Sequence, residues 1–142
     1  MDQTQQLLQS VVESARTGAE ACAQLIERTP DPGMRNELLA QRDQYETCAR
    51  DAERALYDLG GKVRNPGPAA KAGMWVGVRL NTLTDATNSH IADIAIQGAT
   101  MGVIGMTRDR SAYPDADANA QGIASAYITA QQDGIERMKQ FL

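Results

Sequence analysis

Apolar residues recur at spacings of three and four along most of the chain, a pattern typical of helices that bury one face. In the first such segment the apolar stripe consists of Leu8, Val11, Val12, Ala15, Ala19, Cys22, Leu25 and Ile26. This stripe predicts a helix over about residues 4–29, which ends before Pro30. Asp31 is placed to cap a second helix, because Pro32 then falls in the first turn, where its missing N–H costs nothing.

Similar stripes predict three more long helices, at about residues 33–60, 83–107 and 116–141. The second helix ends at Gly60-Gly61, a C-cap signal. The third is predicted to begin at Thr82-Leu83-Thr84-Asp85, which fits the Ser/Thr-x-x-Asp/Glu capping pattern. A short additional helix is predicted at about residues 69–80, with Met74, Trp75 and Val78 on its apolar side.

The connection between the second and third long helices is long enough to span a helical bundle. Its Pro- and Gly-rich residues 62–68 cover about 23 Å at ~3.3 Å each when extended, and the short helix adds about 18 to 21 Å. Their sum is close to the roughly 37 Å of a 25-residue helix. We therefore predict an all-α fold: one domain over residues 1–142, a four-helix bundle in which a long crossover containing the short helix brings the third helix back to the end where the second began.

Two antiparallel helix hairpins joined by a crossover resemble the ferritin-like superfamily. Leu59-Gly60-Gly61, followed by a linker and a short segment with Trp75, is similar to small uncharacterised bacterial ferritin-like domains. The second and fourth helices also share a sequence pattern, since Tyr45-x-Thr47-x3-Asp51 recurs as Tyr127-x-Thr129-x3-Asp133. The resemblance covers nearly the whole chain and implies the bundle fold.

The metal chemistry of that superfamily is not encoded here. The resemblance implies a dimetal centre in which two helices each supply a Glu-x-x-His pair, but His90 is the only histidine and Thr87 precedes it by one turn. We therefore expect a bundle that has lost its dimetal site and holds no cofactor. The function predicted is a non-catalytic binding or structural and oligomeric role rather than an enzyme.

The predicted helix levels place Tyr45, Tyr127 and Gln97 together in the middle layer, where relatives would hold metal. Buried tyrosines fill volume and need hydrogen-bond partners, and Gln97 is a candidate partner. Two interpretations stay open. Either the rings plug the core, or they border a site for a small ligand or for redox chemistry.

His90 is predicted to lie level with Asp133, and Glu20 and Glu136 are further polar candidates nearby. These four residues carry the alternative hypothesis, a metal-binding protein or enzyme with a non-standard centre. Cys22 falls close to the same layer and extends this hypothesis to a Cys–His–Asp nucleophilic site. The same levels separate Cys22 from Cys48 by ~12 Å along the axis, too far for a disulfide.

Charge and hydropathy exclude some classes of binding partner. The 142 residues carry a net charge of −4, and their basic residues are dispersed, so nucleic acid is not expected as a partner. No positively charged leader and no bilayer-length apolar run stands out, so a cytoplasmic protein without membrane contact is expected. Met74, Trp75 and Val78 either seal the bundle or form a homodimer contact. The ligand itself is not encoded by any motif that we identify.

Overall fold

The computed structural model describes residues 2–64, 75–77, 79 and 87–142, and every regular element among them is helical. The four long helices are α1 (Gln3–Arg28), α2 (Pro32–Asp58), α3 (Asn88–Ala112) and α4 (Ala118–Met138), and a 3₁₀ turn (Lys139–Phe141) follows α4. Residues 75–77 and 79 are helical as well, whereas most of the short helix predicted at 69–80, including Met74 and Val78, lies outside the described residues. Within the described part of the chain, no helix combines the length and apolarity needed to cross a membrane.

The ends of α2 follow the signals in the sequence. The Asp31 carboxylate accepts a hydrogen bond from the Met34 amide at 2.8 Å, and this cap satisfies one of the free N–H groups of the first turn. At the other end Gly60 adopts a φ of 75°, and the Gly61 amide donates to the Leu56 carbonyl at 2.9 Å. This is a Schellman ending, which needs a residue that tolerates the left-handed conformation.

The predicted start of the third helix is wrong. Thr87 is the N-cap of α3, and its hydroxyl accepts from the His90 amide at 3.4 Å. The helix therefore begins at Asn88 and ends at Ala112, each five residues later than predicted. The fourth helix also begins later than predicted, at Ala118, where Asp117 supplies the cap.

Hydrogen bonds between the helix ends give the helix directions. Gln5 Nε2 donates to the Leu59 carbonyl at 3.4 Å, so α1 and α2 are antiparallel. The Asp117 amide donates to Thr4 Oγ1 at 2.9 Å, so α1 and α4 begin at the same end. Because α3 and α4 form an antiparallel hairpin, α2 and α3 run in the same direction, and residues 59–87 join opposite ends of the bundle.

The core consists of two clusters of buried side chains. The larger contains residues from all four helices and includes Tyr45 and Tyr127. The smaller gathers the end of α1, the start of α2, the start of α3 and the end of α4, together with Val76 of the connecting segment. Met34, Ile91 and Met138 meet in this smaller cluster, which shows that α3 begins at the end of the bundle where α2 begins.

Candidate functional site

A cavity of about 920 Å³ lies between α1 and α3, within the size range of small-molecule sites in proteins. Residues with small or no side chains on α3 make room for it: Ala95, Gly98, Ala99, Gly102 and Gly105. An added Cβ would meet nothing within 4 Å at Gly105, and at Gly98 only ordinary van der Waals neighbours at 3.7 Å or more. The cavity is therefore open along much of this helix.

Two buried tyrosines form part of the cavity wall, Tyr45 from α2 and Tyr127 from α4. Their ring centroids lie 6.2 Å apart with the planes inclined at 51°. The Tyr45 ring packs onto the backbone of α1 at Gly18, where any Cβ would overlap it. The Tyr127 hydroxyl approaches α3 at Gly102, where an added Cβ would lie 2.6 Å from the oxygen. Each close approach thus depends on a glycine.

The two tyrosine hydroxyls differ in their hydrogen bonding. Tyr45 donates to Gln131 Oε1 of α4. Tyr127 makes no hydrogen bond with any residue that the structure describes, although its side chain is only 2% exposed and lines the cavity. Burial raises the pKa of both phenols, so both stay protonated. Tyr127 therefore presents an unused O–H donor at the cavity.

The two ends of the cavity differ in polarity. At one end, where α1 begins and α3 ends, the lining is polar and includes Ser10, Glu13, Arg64, Arg108 and Asp109. At the other end it is apolar and includes Ala21, Leu25, Trp75, Val76 and Ile94. The Arg79 guanidinium carbon lies 5.4 Å from the centroid of the half-buried Trp75 ring, in a cation–π arrangement.

The carboxylates at the polar end have neutral hydrogen-bond partners. Gln9 Nε2 donates to Glu13 at 2.9 Å, and the Gln9 amide also exchanges hydrogen bonds with the Arg64 backbone. Burial raises the pKa of Asp109; a hydrogen bond from Ser10 lowers it and the nearby Glu13 charge raises it. The acid side chains are thus held by amide and hydroxyl groups rather than by the neighbouring arginines.

The structure brings Tyr45 and Tyr127 together but not Gln97. Gln97 Nε2 instead donates to Asp93 one turn earlier in α3, at 2.9 Å. Gly102 occupies the level where Gln97 was expected, because both ends of α3 lie five residues later than predicted.

His90 and Asp133 are not brought together. His90 is exposed in the first turn of α3, with its Nδ1 2.8 Å from Thr87 Oγ1, and no hydrogen bond or ion pair joins it to Asp133 in the described structure. Asp133 and Glu20 are exposed, and Glu136 pairs with Lys139 at 2.7 Å. Among the described residues, no group of three or more His, Cys, Asp or Glu side chains is arranged to hold a metal ion.

The cysteines are both free thiols, and Cys22 is only 4% exposed. Burial raises the pKa of Cys22 to about 12, although the nearby Arg42 charge opposes this rise. Since the thiolate is the nucleophile, this environment makes Cys22 inert. The hypothesis of a Cys22–His90–Asp133 site therefore has neither the contact nor the thiolate that it needs.

We expect iodoacetamide at pH 8 to alkylate Cys22 about a thousandfold more slowly than a thiol in an unfolded chain. The reason is that a pKa raised from 9.0 to about 12 lowers the thiolate fraction of Cys22 by about that factor. The measurement is mass-spectrometric labelling of Cys48→Ala, which leaves Cys22 as the only thiol. Cys22→Ala isolates the half-buried Cys48 for comparison and should label faster. Equal labelling rates in the two variants would show that Cys22 is not shielded.

Several residues of this cavity carried no obvious signal in the sequence. Ser10, Ser14 and Thr17 lie three to four residues apart on α1 beside the apolar stripe. In the sequence alone, such a polar row is typical of the solvent-exposed side of an amphipathic helix. The informative combination is this polar row facing a helix rich in glycine and alanine. Comparison of the chain with protein-family models, curated proteins and solved structures found no match, so the functional argument rests on the geometry of the cavity.

Proposed function

We propose that this chain is a ferritin-like four-helix bundle without the dimetal centre, and that it binds a small molecule non-catalytically in the cavity between α1 and α3. The parallel directions of α2 and α3 support the ferritin-like topology. The contact between Tyr45 and Tyr127 in the core also supports the proposal, because the resemblance implies metal ligands in the middle layer of the bundle. We favour binding over metal chemistry, because no group of three or more His, Cys, Asp or Glu side chains among the described residues is arranged to hold a metal ion.

One observation carries the proposal: a cavity of about 920 Å³ reaches the core tyrosines. The space opens to solvent, and it extends inward as far as side chains that are almost completely buried. Ligand sites in proteins are usually concave and of this size. Its wall combines apolar residues with polar and charged ones, so it suits a ligand that has both kinds of surface.

We expect the apolar dye N-phenyl-1-naphthylamine to bind in the cavity and to accept excitation energy from Trp75. Trp75 is the only tryptophan and lines the apolar end, so sensitised dye emission reports binding at this place. The measurement is a fluorescence titration with tryptophan excitation. A wild-type protein that gives no saturable sensitised emission would contradict the proposal.

Gly98→Leu should weaken dye binding at least tenfold, because the new side chain occupies the cavity beside Val76 and Trp75, where an added Cβ has only ordinary van der Waals contacts. Leucine is a better helix former than glycine, so the substitution should not unfold α3. The matched control is Gly122→Leu, at an exposed position of α4 with nothing within 4 Å of the added Cβ. Equal affinity in the two variants would place the dye elsewhere.

Metal analysis separates this proposal from its alternative, a non-standard metal centre around His90 and Asp133. Protein purified without added metal should contain iron, manganese and zinc far below one equivalent per chain. Near-stoichiometric metal, lost on replacement of His90 by alanine, would favour the alternative.

A further inference from the structure

We infer that the ligand of this cavity is a single-chain amphiphile with an uncharged, oxygen-rich head group, bound with its alkyl tail toward Trp75. This inference rests on the proposed binding function and specifies its ligand class. It follows from three features of the lining: an apolar half of defined length, a band of unpartnered hydroxyl groups and a balanced set of charges at the polar end.

The apolar half sets the size of the tail. It extends from the level of Gly18 on α1 to Leu25, a distance of roughly 10 Å at the helical rise of 1.5 Å per residue. Ile94, Trp75 and Val76 also line this half, and Val76 is only 3% exposed. The Gln41 amide lies there too, and it donates to Glu37 and to the Gly134 carbonyl. The space suits a medium-length alkyl chain, whose burial there removes apolar surface from water.

A band of hydroxyl groups follows directly on the apolar half. Ser14 and Thr17 of α1 and Tyr127 of α4 all line the cavity. None of the three hydroxyls hydrogen-bonds to another group in the described part of the chain, whereas Thr100 and Thr107 of α3 each bond to their own helix. The Tyr127 side chain is only 2% exposed, so the partner of its hydroxyl is a molecule in the cavity, either water or a ligand. A head group with several oxygens supplies acceptors and donors at this level.

The charges beyond the hydroxyl band favour an uncharged head group. Glu13 and Asp109 face the cavity together with Arg64 and Arg108, so the formal charges cancel. An anionic head would approach the two carboxylates, and a cationic head would approach the two guanidinium groups. Since neither sign finds a site of net opposite charge, neutral polar groups match this end best.

Competition among amphiphiles with the same tail tests the inference. Octyl glucoside, octanoate and octylamine share an eight-carbon chain and differ in the head group. Each is titrated, below its micelle concentration, into the complex with N-phenyl-1-naphthylamine, and displacement is followed by the loss of sensitised emission from Trp75. We expect octyl glucoside to displace the dye at a concentration at least tenfold lower than either charged compound.

Variants of the hydroxyl band complete the test. Tyr127→Phe and Thr17→Val should each weaken octyl glucoside binding about five- to tenfold and leave affinity for the apolar dye within twofold. Tyr57→Phe removes a phenol oxygen from an exposed side chain outside the cavity and serves as the matched control. Tighter binding of octanoate or octylamine, or unchanged octyl glucoside binding in both band variants, would overturn the inference while dye binding still upholds the cavity. Absence of dye binding would overturn the proposed function itself.

Discussion

Gly18→Ala is expected to destabilise the protein by about 2 to 3 kcal/mol, the cost of forcing an extra methyl group into a packed core. The Tyr45 ring lies directly on the backbone of α1 at Gly18, so the added Cβ overlaps ring atoms rather than the end of a flexible chain. Tyr45 cannot easily move away, because its hydroxyl is bonded to Gln131 and its ring packs beside Tyr127. The measurement is the free energy of unfolding from chemical denaturation.

Gly105→Ala is the matched control for this substitution. It makes the same change in the middle of a helix, but an added Cβ there meets nothing within 4 Å. Alanine should therefore stabilise the protein at this position by about 0.5 to 1 kcal/mol. The Gly18→Ala/Tyr45→Ala double variant gives the coupling energy, and it should be less destabilised than the sum of the single variants. If the Gly18→Ala protein were as stable as wild type, the Tyr45 ring would not pack on α1.

The first two helices follow from local signals in the sequence. Their apolar stripes indicate where the helices run, and the Asp31 cap and the Gly60-Gly61 ending mark the two ends of α2. The structure agrees with the predicted bounds to within two residues. The pairing of Tyr45 with Tyr127 also follows from helix levels alone, although those levels contained an error.

The start of α3 could not be fixed in this way. Thr82, Thr84 and Thr87 are all competent caps within six residues, and the capping pattern at Thr82 does not decide among them. Thr87 is the cap in the structure, so α3 begins five residues later than predicted. The turn between α3 and α4 also lies later than predicted, because α3 ends at Ala112 rather than at residue 107 and α4 begins at Ala118. The later turn moves His90 away from the level of Asp133, and the two shifts together place Gly102 in the middle layer.

The sequence left open whether the two tyrosines fill the core or border a ligand site, because a cavity depends on distances between helices. Gly98, Gly102 and Gly105 indicate close packing when read as a sequence pattern. In the structure Gly102 is close to the Tyr127 hydroxyl, Gly98 has ordinary van der Waals neighbours in Val76 and Trp75, and Gly105 borders open space. A helix face that lacks side chains can either pack closely against a neighbouring helix or border a cavity. The tertiary packing of α1 and α3 decides between the two.

Alkaline conditions are expected to destabilise the protein, and Cys22 contributes to this together with Tyr45 and Tyr127, because burial raises the pKa of all three groups. Its folded-state pKa is about 12 and its usual value is 9.0, so above pH 9 the unfolded chain releases this proton while the native protein retains it. A raised pKa contributes stability that is complete below pH 9 and is lost as the pH rises toward 12. By pH 11 the loss due to this thiol is about 3 kcal/mol, at about 1.36 kcal/mol per unit.

Cys22→Ala isolates this effect, because an alanine has no proton to lose. The variant should be less stable than wild type at pH 8, where the thiol fills its site, yet the difference should shrink by about 3 kcal/mol between pH 8 and pH 11. Burial also raises the pKa values of Tyr45 and Tyr127, but both phenols are present in both proteins, so their contribution cancels in the comparison apart from the part of the Tyr45 rise that the Cys22 charge causes. Cys48→Ala is the control: burial and the Asp51 charge raise the pKa of that half-buried thiol, so a smaller change is expected. Parallel stability curves for wild type and Cys22→Ala would show that the Cys22 thiol ionises as freely in the native protein as in the unfolded chain.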